Sequence, residues 1–143
     1  MTTSGSKLGG GQCPFCDVAG HIIDENDFAN VIFSNPRLTE YHLLIIPKRH
    51  VEKPWELTKN ERQAIFDLIL KWQKFIIDHI ATGCDVRENY RPFLPQSKTK
   101  VDHLHYHLLP REFRDELFAK SQIYEAEIFR EVKREELDPR HLL

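Results

Sequence analysis

Residues 101–110, VDHLHYHLLP, place histidines at 103, 105 and 107 and apolar or aromatic side chains at 104, 106 and 108. Period two is the periodicity of a β-strand, whose successive side chains leave opposite faces, with same-face neighbours about 6.5–7 Å apart. In a helix, residues two apart diverge by about 200° and the three rings would share no site. The stretch therefore predicts a strand ended by Pro110. Leu104, Tyr106 and Leu108 face a core, and His103, His105 and His107 form a row on the other face. Such a strand needs a sheet with one chemically active face and an apolar cover for the other.

The cover is legible from Thr58 onward. Thr58 with Glu61 three residues later makes a capping box, which satisfies N–H groups left orphaned at a helix start. Ile65, Leu68, Ile69, Trp72, Phe75, Ile76 and Ile80 then recur at helical spacing, with Lys, Asp and Gln between them. Gly83 fits the stop position. The expectation is one amphipathic helix of about six turns. Ile22-Ile23 and Ala29 to Phe33 predict a hairpin across an acidic, Asn-containing turn, HLLIIP a compact strand, and CDVRENY another. Residues 123–132 allow a second, weaker amphipathic helix. The order predicts an α+β domain. Its sheet is twisted, mainly antiparallel and of about five strands, with one long helix and a C-terminal helix.

The chain has 143 residues, enough to bury a core in one domain. Residues 1–11 read as a flexible Gly/Ser/Thr-rich tail, 12–111 as the domain, and 112–143 as a helical extension. The net charge of −2 gives no global pull toward nucleic acid or anionic membrane, so any phosphate binding is local. No apolar run reaches membrane-span length, and the N-terminus lacks a signal-peptide core, so a cytoplasmic protein is expected. Three cysteines, two of them in Cys13-Pro14-Phe15-Cys16, make no secreted disulfide framework. In a reducing compartment CxxC reads as metal ligands or a redox pair.

Two chemistries suit the histidine row. Neutral imidazoles bind metal readily, so two or three of the rings can hold an ion. Alternatively, one ring attacks the phosphorus of a phosphate ester while its neighbours bind the oxygens. With an ordinary pKa of about 6.5, roughly three-quarters of such rings are neutral at pH 7 and available as nucleophiles. A neighbouring ring that stays protonated would steady the charge or the leaving group.

His103-Leu-His105-Tyr-His107-Leu-Leu resembles the His-φ-His-φ-His-φ-φ signature, φ being apolar, of the histidine triad (HIT) superfamily. SNPRLTEYHLLIIPKRHV resembles that family's earlier strand, with Asn-x-x-Pro, Gly-His-x-Leu and Pro-x-x-His segments. CPFC resembles the zinc-binding pair of many bacterial members and of the related galactose-1-phosphate uridylyltransferases. The resemblance implies the HIT fold, assembly as a homodimer, and a nucleotide phosphohydrolase or nucleotidyl transferase. Its substrate would be a nucleoside phosphoramidate or dinucleotide polyphosphate. His105 would be the nucleophile, forming a covalent nucleotidyl-histidine, and His107 would contact the phosphate or help the leaving group. Asn35 would bond the ribose. Cys13, Cys16, His50 and His103 would ligate a structural zinc ion, since two thiolates and two imidazoles make a closed tetrahedral set.

This chain departs from the family pattern in three places, one being Pro92 where an Asn or Gln is expected about eleven residues before the first triad histidine. The Gly-Gln-Ser/Thr-Val stretch before the triad is replaced by KTKV, where Ser97 and Thr99 offer substitute phosphate donors. The Gly before His42 is Tyr41. The same residues leave two other readings: a nucleotide-binding HIT protein without turnover, and a metallohydrolase with zinc on the triad.

Overall fold

The computed structural model describes residues 13–90, 101–121 and 130–142. Five strands form one sheet in the order β1-β2-β3-β5-β4: β1 (Asp24–Glu25), β2 (Ala29–Phe33), β3 (Leu43–Pro47), β4 (Gly83–Arg87) and β5 (Tyr106–Arg111). Every pairing is antiparallel. Helix α1 (Lys59–His79) covers one face, so the predicted α+β architecture holds.

Local chemistry sets these boundaries. The β1–β2 turn is closed by Asn26, whose Oδ1 accepts from the N–H groups of Phe28 and Ala29 at 3.1 and 3.0 Å. β1 itself falls just after Ile22-Ile23, although Ile23 N–H still donates to the Val31 carbonyl. The capping box is complete. Thr58 Oγ1 accepts from Glu61 N–H at 3.1 Å and Glu61 Oε1 accepts from Thr58 N–H at 2.9 Å.

The registers divide the side chains into two layers. Val31, Ile45, Tyr106 and Leu108 face α1 and pack with its Ile65, Leu68, Ile69 and Ile76. Ile32, Leu44 and Ile46 face the other way and are covered by Val18 and Phe15 of the N-terminal segment. Fully burying an aliphatic side chain contributes about 1.5–3 kcal/mol, so α1 is held by its apolar stripe far more than by its intrinsic propensity.

Some boundaries differ from the sequence reading. α1 ends at His79, and Gly83 opens β4 instead of stopping the helix. A Cβ at Gly83 would meet the Arg111 carbonyl oxygen at 3.4 Å, which gives the glycine a packing role against β5. Pro110 lies inside β5, because β3 ends its pairing at Leu108 and leaves Pro110 with only β4 alongside. Trp72 packs as expected and donates to Asp24 Oδ2 at 2.9 Å, whereas Trp55 is exposed with its ring edge on Tyr90.

The chain divides into two compact units, Met1–Phe113 and Arg114–Leu143. In the second, helix α2 (Glu116–Ser121) is followed later by 3-10 turns at Arg134–Leu137 and Pro139–Leu142. Most of the predicted 123–132 helix lies outside the described residues, and Glu131 and Val132 are not helical.

Candidate active site and metal centre

β5 starts at Tyr106, so of the three triad histidines only His107 is in the strand. Alternation nevertheless continues through the extended residues before it. Leu104 N–H donates to the Val51 carbonyl at 2.6 Å and its side chain joins the core beneath α1. His103 and His105 are thereby turned to the opposite face, as the period predicted.

The environment then gives each ring its own partners, which fix its tautomer. His103, 1% exposed, lies 2.9 Å from the Pro47 carbonyl through Nε2. A carbonyl only accepts, so the proton sits on Nε2 and the Nδ1 lone pair faces sulfur. It lies 3.3 Å from Cys13 Sγ and 3.5 Å from Cys16 Sγ. His50 repeats the arrangement. Its Nε2–H donates to Glu52 Oε2 at 3.0 Å and its Nδ1 lies 3.1 Å from Cys16 Sγ. The ligating atoms of Cys13, Cys16, His50 and His103 all lie within 4.8 Å of one another, so the cluster could hold a metal ion. Both imidazoles have the outer-shell acceptor that fixes a metal-binding tautomer.

His105 donates Nδ1–H to the His103 carbonyl at 2.7 Å, which leaves its Nε2 lone pair bare. Phe15 sets a ring edge against it, with centroids 5.2 Å apart. A cavity of about 50 Å³ opens beside His105, with Lys53, Asn89 and Tyr90 in its wall.

His107 is tied to a second ring. His42 Nδ1 accepts from Leu38 N–H at 3.1 Å, so the His42 proton is on Nε2 and is donated to His107 Nδ1 at 2.9 Å. The His107 proton is therefore on Nε2. Burial, reinforced by His105, His42 and Arg87, pushes His107 down to about 4. Burial, with Arg87 and His105, does the same to His42. His107 is thus a neutral hydrogen-bond donor in the free protein. This replaces the expectation of a protonated neighbour, because the pocket is too desolvated to keep the ring charged.

Asn35 is exposed in the turn after β2, next to Ser34, whose N–H donates to the His42 carbonyl at 2.8 Å. Ser97 and Thr99 lie outside the described residues. Phe15, Glu52 and the Pro47 carbonyl join the site without having been singled out from sequence. The first two had a local signal, Phe15 between the cysteines and Glu52 two residues after His50. The carbonyl had none.

A row of imidazoles on one sheet face, backed by an antiparallel sheet and one long helix, defines a histidine triad protein. The HIT domain family model matches residues 18–114, and the chain belongs to that family. It is 30% identical over 106 residues to the protein hit of Bacillus subtilis (strain 168), covering 70% of this chain and 71% of that one. Among solved structures it is similar to a HIT family protein from Bacillus anthracis, at TM-score 0.68 and 21% identity, covering 91% of this chain and 89% of that chain. A HIT family hydrolase from Clostridium thermocellum matches at TM-score 0.57 and 25% identity, covering 76% of this chain and 96% of that chain.

Proposed function

We propose that this protein is a nucleotide phosphohydrolase or nucleotidyl transferase working through a covalent nucleotidyl-His105 intermediate. The observation that carries the reading is the 2.7 Å hydrogen bond from His105 Nδ1–H to the His103 carbonyl. It fixes the tautomer whose Nε2 lone pair can bond to phosphorus, without a separate base. In the first step the P–Nε2 bond forms and the bond to the leaving group breaks, the departing atom taking a proton from solvent water. In the second, water or another hydroxyl acceptor attacks phosphorus and releases its proton to solvent, the P–Nε2 bond breaks, and Nε2 recovers its electron pair. His107 Nε2–H is placed to donate to a phosphoryl oxygen in both steps. The hydrolase from Clostridium thermocellum supports hydrolysis as the broad reaction class.

The Cys13, Cys16, His50 and His103 set fits a structural zinc ion. Zn–S and Zn–N bonds of about 2.3 and 2.0–2.1 Å require tetrahedral S···N edges of about 3.5 Å. The observed edges include 3.1, 3.3 and 3.5 Å. Two soft thiols with two oriented imidazoles suit zinc, and such a closed centre supplies cross-linking, with no open position for substrate. It would clamp the 13–16 loop to the residues that lead into β5. Ser97 and Thr99 are proposed as phosphate donors and Asn35 as the ribose contact.

The protein is proposed to act as a cytoplasmic homodimer. The edge strand β4 exposes Val86, and α1 exposes Phe66 and Leu70, which supports burial against a second copy. Among the described residues no helix is long and apolar enough to cross a membrane.

The deciding experiment is intact-mass trapping after brief exposure to a nucleoside phosphoramidate or dinucleotide polyphosphate. A nucleotidyl adduct mapped to His105, and lost in His105→Ala with metal content unchanged, is expected. Turnover retained by His105→Ala would overturn the mechanism.

A further inference from the structure

The strand registers extend the triad across the sheet into a row that ends in a cation. Ile32 on β2 lies opposite Leu44 on β3, Leu44 opposite His107 on β5, and His107 opposite Arg87 on β4. Directly opposed residues of an antiparallel sheet share a face, with Cβ atoms about 4.5–5.5 Å apart. The row therefore runs from apolar side chains, through the imidazole proposed to hold the transferred phosphate, to a guanidinium at the sheet edge.

Arg87 is not used up by its own partner. Its Nη2 lies 3.1 Å from Asp85 Oδ2, and the same oxygen takes a shorter, 2.6 Å bond from Arg111 Nη1. Arg87 therefore shares its acceptor oxygen with Arg111 and holds it by the longer of the two contacts. The Arg87 side chain is 40% exposed, against 18% for Arg111, so Arg87 is the member that a ligand can reach. Its charge also reaches the neighbouring rings, since it helps hold both His42 and His107 below their ordinary range.

We infer that Arg87 forms a second phosphate subsite beside His107, so that the site takes nucleotides carrying at least two linked phosphates and expels an anionic leaving group. His105 and His107 would take the attacked phosphate, and Arg87, across the register from His107, the phosphate beyond it. Guanidinium is matched to this task, because its planar fork offers paired donors to phosphate oxygens. The inference rests on the nucleotide reading above and narrows its substrate class.

Binding tests it without requiring turnover. Calorimetric titration of the metal-loaded protein with ADP and with AMP compares ligands that differ by one phosphate. The wild type is expected to favour ADP, and Arg87→Gln to lower the ADP-to-AMP affinity ratio about tenfold, the worth of a charge-assisted hydrogen bond. Arg87→Lys should restore part of that ratio. Asp85→Asn separates binding from architecture. If Arg87 acts on the ligand, removing the competing carboxylate should raise ADP affinity about two- to threefold. If the ion pair merely supports the fold, Asp85→Asn should weaken ADP as Arg87→Gln does, and the inference falls. An ADP-to-AMP ratio unchanged by Arg87→Gln would also overturn it. Failure of the wild type to bind either nucleotide would instead overturn the nucleotide reading, and the subsite with it.

Discussion

Glu61→Gln removes a charge that ties the helix cap to Arg49, the residue before His50. The Glu61 carboxylate, 5% exposed, takes a two-pronged bond from Arg49, with Nε at 2.9 Å and Nη2 at 2.8 Å, and also accepts the Thr58 N–H. Arg49 hydrogen bonding, aided by the Thr58 contact, holds the carboxyl at about 2 against an ordinary 4.5. At about 1.36 kcal/mol per pH unit, that difference corresponds to about 3 kcal/mol of folded-state preference for the ionised form. Half the Arg49 side chain is in water, which screens the pair and reduces the expected contribution to about 2 kcal/mol. Glutamine keeps an oxygen for Thr58 N–H, so the substitution isolates the ionic part.

The folded-state pKa is depressed, so this stabilisation is complete above about 4.5 and is lost as pH falls toward 2. In urea unfolding, the wild type should exceed Glu61→Gln by about 2 kcal/mol at pH 7. Roughly half that gap should remain at pH 3, and little at pH 2. Other acids, such as Asp24 against Lys71 and Trp72, titrate in both proteins and cancel in the difference. A gap of equal size at pH 7 and pH 2 would refute the reasoning, since it would assign the effect to neutral hydrogen bonds. Because Arg49 immediately precedes His50, the variant should also release metal to a chelator faster than the wild type.

Two further outcomes follow from the site. Cys13→Ala should lose most bound metal, measured by elemental analysis, and unfold at lower temperature; unchanged metal content would show that the ligand set is wrong. His42→Phe removes the ring that fixes the His107 tautomer. It should lower kcat/KM about tenfold or more while nitrogen-15 NMR shows His107 populating both neutral tautomers, whereas a single tautomer with normal activity would dispose of the relay.

Much of this architecture could be read from periodicity. The capping box, the apolar stripe of α1, the hairpin at Asn26 and the HLLIIP strand are local signals, and each element formed at its signal except β1, which falls just after Ile22-Ile23. Proline and glycine were misread where tertiary pairing decided their role. Pro110 is tolerated inside β5 because β3 has already ended, and Gly83 serves close packing on Arg111. Tyr41 replaces the glycine of the resembling motif yet keeps a positive φ of 58°, so the turn before His42 is imposed by its surroundings, against the residue's own preference. The proposed ligand set was recoverable only through family resemblance, because 34 residues separate Cys16 from His50 and 87 separate it from His103. No local spacing rule spans such gaps.

The proposed division of labour among the three histidines was not in their alternation, which makes them equivalent. It comes from what meets the second nitrogen of each ring. A buried carbonyl at Pro47 turns His103 Nδ1 toward sulfur, the His103 carbonyl bares His105 Nε2, and His42 presses its proton on His107 Nδ1. Two of these three partners are backbone carbonyls, which no side-chain pattern can reveal. One of them belongs to His103 itself, so the residue proposed to hold metal through its side chain also orients the proposed nucleophile, His105, through its backbone. Substituting His103 should therefore cost activity mainly through metal loss and loop release, since any replacement residue still presents a carbonyl to His105. Retained hydrogen bonding at His105 Nδ1 in a metal-depleted His103 variant, seen by NMR, would separate those two roles.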